Sequence, residues 1–266
     1  MTKSAQHINN RPVALGSRLK QYPEISTLGF KPNFENYSKH EKELILNSKK
    51  IYFPTAFYAD LFNAMGKNTF PCFHTYKFAQ DKIKQTAIFN MLGIPHPKTK
   101  VFYGKKQKLE ILNFFDFPFI AKKARGSAKG NEIYLINNHE ELANYLHSKK
   151  PAYIQEYLPI KQDMRVVIIG RKIRLAYFRI AAQSEFKTNI SQRGTIDFTP
   201  LPQQALDLAL ITASKCRWDD VGIDIIEYKQ KFYVLEANMK YGTKGFIQAG
   251  IDYKKMLADL IIKGRI

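Results

Sequence analysis

Two acids and an amide, Asp224, Glu236 and Asn238, lie in segments that otherwise read as buried strands, Val221 to Ile226 and Phe232 to Asn238. The polar turn Tyr228-Lys229-Gln230-Lys231 between them predicts a β-hairpin. A register centred near Gln230 sets Asp224 opposite Glu236, and period-two alternation puts Asn238 on the same face as Glu236. Carboxylates opposed at roughly 5 Å repel one another. A hard divalent cation such as Mg2+ relieves the conflict, taking a few carboxylate or amide oxygens and completing its shell with water and substrate phosphates. The alternative is a solvated hairpin face whose acids do no chemistry.

Several elements must position these groups. Asp81-Lys82 opens a helix in which Ile83, Ala87, Ile88 and Met91 recur at helical spacing, ending at Gly93 before Ile94-Pro95-His96-Pro97. Pro118 to Lys122 reads as a strand carrying a lysine, followed by the small, flexible run Gly126-Ser127-Ala128-Lys129-Gly130. Ile154 to Leu158 is strand-like, and Asp163-Met164-Arg165 leads into the β-branched run Val166 to Ile169 and a tight turn at Gly170-Arg171. Arg179, Lys187-Thr188-Asn189 and Arg193-Gly194 follow. Asp163 and Arg165 share a strand face and could pair with each other. Lys50 to Phe53 reads as a further strand. Asn138 and Glu141 give a start resembling a capping box to a helix through Leu146, and a helix near Gln203 to Cys216 sets Leu206, Leu210 and Ala213 on one face.

A chain of 266 residues, 45% of them hydrophobic, can build a substantial globular core in one large or two to three small domains. No uninterrupted apolar run approaches the roughly 20 residues needed to cross a bilayer. The polar stretch Met1 to Gln21 lacks the apolar core of a signal peptide, so cytoplasmic residence is expected. Cys72 and Cys216 have no metal-type spacing and fit a reducing compartment as small packed side chains. The histidines show no metal-ligand spacing either. A net charge of +19 suits an acidic protein tail, a polyanionic metabolite or nucleic acid. The chain carries no nucleic-acid motif, which favours an acidic peptide or metabolite. The basic residues are also spread along the whole chain, and their densest cluster, Lys105, Lys106 and Lys108, is expected as a solvated loop.

In order and spacing, these residues resemble the ATP-grasp superfamily, and within it the branch of ligases that add glutamate to a ribosomal protein and related amino-acid ligases. The resemblance runs from about Phe78 to Ile266 and is most diagnostic at Glu236-Ala237-Asn238, continued by Gly242 and Lys244-Gly245. It implies an α/β (α+β) fold, an ATP-grasp fold of two lobes with a short N-terminal pre-ATP-grasp domain. The expected division is 1–78, 79–153 and 154–266, with the metal site in the last part.

The same resemblance implies roles residue by residue. Lys82 and Lys122 would contact ATP phosphates, Gln155, Glu156 and Tyr157 would form the adenine-facing hinge, and Asp163 would lie near the ribose. Lys187, Thr188 and Asn189 would approach the nucleotide and its metal. Asp224, Glu236 and Asn238 match the magnesium ligands, with two Mg2+ ions expected and Mn2+ as a substitute. Arg179 matches an arginine beside the reacting phosphate, and Arg165 is a second candidate for that region. A lysine on a rigid strand suits phosphate oxygens, and glycines let backbone N–H groups approach them closely.

The chain departs from the family pattern in two places. Its loop from Gly126 to Gly130 has two glycines with Lys129 between them, and Glu132 stands where an apolar residue is common. Met239-Lys240-Tyr241 replaces the small-residue and proline turn that approaches the acceptor, which bears on substrate identity more than on ATP. The implied activity is ATP-dependent ligation of a carboxylate to an amine through an acyl phosphate, with an amino acid and an acidic peptide or metabolite as candidate substrates. The alternative is a catalytically reduced ATP-binding regulatory or interaction protein with a basic surface.

Overall fold

The computed structural model describes residues 11–123, 133–147, 150–180 and 195–266, and within them three sheets follow one another along the chain. The first is parallel, ordered β2-β1-β3-β4, from β1 (Val13–Ala14), β2 (Ser26–Thr27), β3 (Lys50–Tyr52) and β4 (Asn68–Phe70). Parallel neighbours need crossover connections, and the helices Lys39–Asn47 and Ala56–Ala64 supply two of them. Ile45, Tyr58 and Phe62 from these helices pack with Val13, Leu15 and Ile51.

The second sheet is antiparallel, ordered β5-β8-β6-β7, from β5 (Thr99–Phe102), β6 (Phe119–Lys122), β7 (Ile133–Ile136) and β8 (Ala152–Glu156). Because β8 pairs with β5 through Gln155 and with β6 through Glu156, the sheet runs past residue 153. The helix His139–Leu146 covers the sheet through Leu142. Its cap, Asn138 Oδ1, accepts the Glu141 N–H at 2.9 Å, but Glu141 Oε2 reaches back to the N–H of Asn137 at 2.8 Å, one residue beyond the expected box. In the Lys105, Lys106 and Lys108 cluster the first two lysines are exposed and Lys108 is half-buried, and the segment forms the short helix Gly104–Lys108 instead of a loop. Gly104, at φ 64°, makes the turn into it, and lysine is a good helix former.

The third sheet is antiparallel, ordered β11-β10-β9-β12-β13, from β9 (Gln162–Ile169), β10 (Lys172–Ile180), β11 (Thr195–Asp197), β12 (Asp220–Tyr228) and β13 (Lys231–Asn238). Both faces are covered, which accounts for the unbroken apolar run of β9. Val166 and Ile168 join the core beneath the helix Gln203–Lys215, and Val167 and Ile169 join the core beneath the helix Tyr253–Ile262. The first of these helices approaches closely through Ala205, Ala209, Thr212 and Ala213. Leu206 and Leu210, expected on one face with Ala213, flank the buried stripe and are half-buried. Small side chains bring the helix nearer the sheet, and the leucines fill the sides.

The two hairpins turn through pairs of left-handed residues, Gly170-Arg171 and Lys229-Gln230. Such two-residue turns match the right-handed twist of the strands. In the second hairpin Tyr228 pairs with Lys231 and Ile225 with Val234, a register that, continued unbroken, would set Leu235 opposite Asp224. A bulge between Ile225 and Asp224 inserts Leu235 as an extra residue, and Asp224 then faces Glu236.

Candidate active site

That bulge decides which face carries the chemistry. Val234 and Ala237 both lie in the core beneath the helix Gln203–Lys215. Without the extra residue, period-two alternation from Val234 would turn Glu236 and Asn238 into that core. With it they join Asp224 on the opposite face, where Asp163 and Arg165 of β9 and Arg179 of β10 also lie.

On this face, buried charges alternate in sign across three strands. Arg179 donates to Asp163 from Nε at 2.5 Å and Nη2 at 2.8 Å, and its Nη2 also lies 2.8 Å from Asp224 Oδ2. Arg165 grips Asp224 with both arms, Nε to Oδ1 and Nη2 to Oδ2 at 2.9 Å. The suggested Asp163–Arg165 pair does not form. Each residue instead bonds its direct cross-strand partner, Asp163 with Arg179 and Arg165 with Asp224, since cross-strand partners stand closer than residues two apart on one strand. Burial works against the Arg179 charge, but Asp163 and Asp224 overcome it and hold its pKa above the ordinary value. Asp163 is only 1% exposed, with both oxygens on Arg179.

Asn238 links the two opposed acids, its Nδ2 donating to Glu236 Oε1 at 2.8 Å and to Asp224 Oδ2 at 3.0 Å. Lys82 Nζ, from the first turn of the helix Lys82–Leu92, donates to Glu236 Oε2 at 2.5 Å. Asp81 caps that helix by accepting the Lys84 N–H at 3.1 Å, and Gly93 ends it at φ 62°. Burial alone would raise the Glu236 pKa, but Lys82 and Lys122, with the Asn238 bond, bring it down to about 2. Lys122 enters from β6, where its Nζ donates to Gln155 Oε1 at 2.7 Å and Gln155 Nε2 donates to Thr99 Oγ1 at 2.9 Å. Burial lowers Lys122 to about 8, with Glu236 opposing and Lys82 adding to the shift.

The structure therefore gathers Lys82, Asp163, Arg165, Arg179, Asp224, Glu236 and Asn238 into one bonded network, with Lys122 and Gln155 beside it. Glu156 turns back to the chain, its Oε1 accepting the Lys98 N–H at 2.6 Å, and Tyr157 follows β8 half-buried. Lys187, Thr188, Asn189, Arg193 and the loop from Gly126 to Gly130 lie outside the described residues. Asp224 and Glu236 converge on one amide and offer hard oxygen donors, a set that fits Mg2+. Among the described residues no three His, Cys, Asp or Glu side chains form a metal cage, so beyond Asp224 and Glu236 a cation there would draw on the Asn238 amide oxygen, water or phosphate to fill its shell.

Tyr241 was not foreseen as part of the site's frame. The base of its side chain leaves no room for a side chain at Gly222, where an added Cβ would lie 2.7 Å from Tyr241 Cβ and 3.0 Å from Arg165 Cδ. Its hydroxyl donates to buried Asp220 at 2.5 Å, and its carbonyl accepts from Arg165 Nη1 at 3.4 Å. Burial pushes Asp220 up to about 7, with the Tyr241 bond and Arg18 opposing. Tyr241→Phe should therefore lose about 1–3 kcal/mol of stability. A carboxyl group raised in the folded state weakens stability as pH climbs from its ordinary 3.8 toward 7, and losing the hydroxyl steepens that fall. Denaturant unfolding should accordingly show a larger loss at pH 8 than at pH 5.

A family model described as a RimK-like ATP-grasp domain matches residues 79–261. Coenzyme gamma-F420-2:alpha-L-glutamate ligase from Methanococcus maripaludis is 29% identical over 195 residues, covering 70% of this chain and 67% of that protein. N-acetylaspartylglutamate synthase A from Homo sapiens is 26% identical, covering 63% of this chain and 45% of that protein. Among solved structures, the ATP-grasp ligase PsnB complexed with minimal precursor aligns at TM-score 0.70 and 13% identity, over 96% of this chain and 99% of that one. D-alanine--D-alanine ligase from Bacillus anthracis complexed with ATP aligns at 0.67 and 16% identity, over 96% of each chain. At such identities these structures establish a shared ATP-grasp fold.

Proposed function

Because this chain belongs to the RimK-like ATP-grasp family and is an ATP-dependent carboxylate–amine ligase, we propose that it joins an amino acid to an acidic acceptor at the network around Glu236. The observation carrying this reading is the convergence of Lys82, Arg165, Arg179, Asp224, Glu236 and Asn238, from five separate elements, on one face of one sheet. A carboxylate oxygen of the substrate attacks the γ-phosphorus as the bond to the β–γ bridging oxygen breaks, giving an acyl phosphate and ADP. The amine, arriving deprotonated, then attacks the acyl carbon; the carbon–oxygen bond to phosphate breaks, and the amine's remaining excess proton passes to solvent.

Such transfer needs mainly positioning and charge neutralisation. Asp224, Glu236 and Asn238 would hold Mg2+, with two ions proposed and Mn2+ suited to the same oxygens. Bound there, the metal neutralises phosphate charge and orients the transferring group. Lys82 and Lys122 bind phosphate oxygens, and Arg179 and Arg165 face the reacting phosphate. Asp163, enclosed by Arg179, moves from its expected place at the ribose to the task of orienting that arginine. Gln155, Glu156 and Tyr157 at the end of β8 face the adenine, and Lys187, Thr188 and Asn189 serve the nucleotide and metal. The division at 78 stands in this proposal, and the second boundary follows β8 at 156.

Among the described residues no helix is long and apolar enough to cross a membrane, and cytoplasmic residence belongs to the same proposal. The glutamate named in several relatives supports an acidic amino acid as one substrate; the +19 charge suits any polyanion, and the use that a ligase has for a carboxylate favours an acidic acceptor over nucleic acid. Polyglutamate should bind with an affinity that falls steeply as salt rises to physiological levels, because charges more than roughly 8–10 Å apart are then screened. Parallel titrations with single-stranded and duplex nucleic acid should be weaker. Tight, salt-sensitive nucleic-acid binding without peptide binding would overturn the acidic acceptor.

A further inference from the structure

The bulge at Leu235 puts the two metal-ligand candidates of β13 on the face of Asp224, and among the described strands β13 lies at the sheet edge, paired with β12 alone. A strand held from one side is prone to slip, and a slip of one residue reverses the face of every side chain beyond it. The free edge is not bare. Val234 donates its backbone N–H to Pro95 O at 2.8 Å, and Ala237 donates its own to Gln85 Oε1 at 3.0 Å. Gln85 Nε2 donates in turn to Ala237 O at 2.8 Å and to Phe78 O at 3.0 Å. In a regular strand, outward N–H groups recur every second residue; here they are three apart, and the extra residue between them is the bulge.

Gln85 is 4% exposed, and both amide hydrogens and the carbonyl oxygen are used. It satisfies both the donor and the acceptor of a single residue, as a neighbouring strand would. That residue stands between Glu236 and Asn238. One helical turn from Lys82, Gln85 sits on the helix that also reaches the second sheet, where Thr86 Oγ1 lies 2.6 Å from Tyr153 OH.

We propose that Gln85 is a positioning residue for metal binding, its carboxamide holding Ala237 so that the bulge stays at Leu235 and Glu236 and Asn238 stay turned toward Asp224. The proposal rests on the reading of Glu236 and Asn238 as metal ligands. Its substrate-independent signature is the gain in ADP affinity that Mg2+ confers. A glutamine that only stabilised the fold would leave that gain alone.

Calorimetric titration of ADP with and without Mg2+ tests it in the wild type, Glu236→Gln, Gln85→Met and a control of similar thermal destabilisation, Phe62→Leu in the N-terminal core. Gln85→Met should reduce the Mg2+-dependent gain about tenfold or more, with metal-free ADP affinity within about twofold of wild type. The Ala237 amide should lose hydrogen-exchange protection in the same variant. An undiminished gain in Gln85→Met, or an equal reduction in Phe62→Leu, overturns the proposal. If Glu236→Gln loses the gain while Gln85→Met keeps it, only the role of Gln85 fails; if Glu236→Gln keeps it, the metal reading fails first and takes this proposal with it. Should Gln85→Met not fold, Gln85→Asn, which retains the amide but is too short to meet both Ala237 atoms, is read by the same two outcomes.

Discussion

Replacing Glu236 with glutamine is expected to lower Mg2+-dependent turnover by at least about a hundredfold while leaving the fold largely intact. Glutamine keeps the shape and one acceptor oxygen, but it removes the charge that Lys82 and Lys122 oppose and that a divalent cation would share with Asp224. Asp224→Asn should act in the same direction, with a greater loss of stability because two arginines then face a neutral partner in a buried site. The pH response separates charge from shape. A carboxyl group held at about 2 contributes stability that is complete above its ordinary value near 4.5 and is lost as pH falls toward 2. Glu236→Gln should therefore show a flatter acid limb in unfolding over that window. Full activity of Glu236→Gln at limiting Mg2+ would remove Glu236 from the metal site.

If Lys122 binds phosphate as proposed, Lys122→Ala should weaken ATP binding by about tenfold or more and leave adenosine binding within about twofold, because the missing charge would face phosphate and not base. Burial lowers this lysine to about 8, below its ordinary 10.5. In the free protein it thus opposes stability below pH 8, and the penalty fades as pH rises from about 8 to 10.5. Phosphate favours the charged form, so nucleotide binding near pH 8 should draw in a proton and weaken at higher pH. Calorimetry at pH 8 in buffers of different ionisation enthalpy would detect that uptake, and Lys122→Ala should abolish it. Equal losses for ATP and adenosine would move Lys122 away from the phosphates.

The strands and helices that carry the site were legible because their signals are local. Asp81 and Gly93 mark both ends of one helix, and the unbroken β-branched run Val166 to Ile169 marks the central strand. The facing of Asp224 and Glu236 was legible too, but by a route the chain does not take. The turn centres between Lys229 and Gln230, half a residue short of the centre that the pairing requires, and the bulge at Leu235 makes up the difference. A bulge leaves no mark in hydrophobic periodicity when the extra residue is itself apolar.

Long-range partners were harder to read. Asp163 and Arg165 look like a pair in sequence, yet their ion-pair partners lie on neighbouring strands, at Arg179 and Asp224. Gln85 bonds backbone atoms of a residue far along the chain, and no pattern of side chains announces such a contact. Tyr241 was visible only as a departure from a small-residue turn. Its consequence, a peg over Gly222 anchored on Asp220, depends on the packing of three strand positions and a loop.

The central claim, a ligase working at the network around Glu236, is tested most directly by ADP release from the purified protein with ATP and Mg2+ across amino acids and acidic peptides, alone and in pairs. The account predicts release that requires a carboxylate and an amine together, is lost in Glu236→Gln, and is matched by an equal amount of new amide. ADP release independent of both substrates, or undiminished in Glu236→Gln, would contradict it.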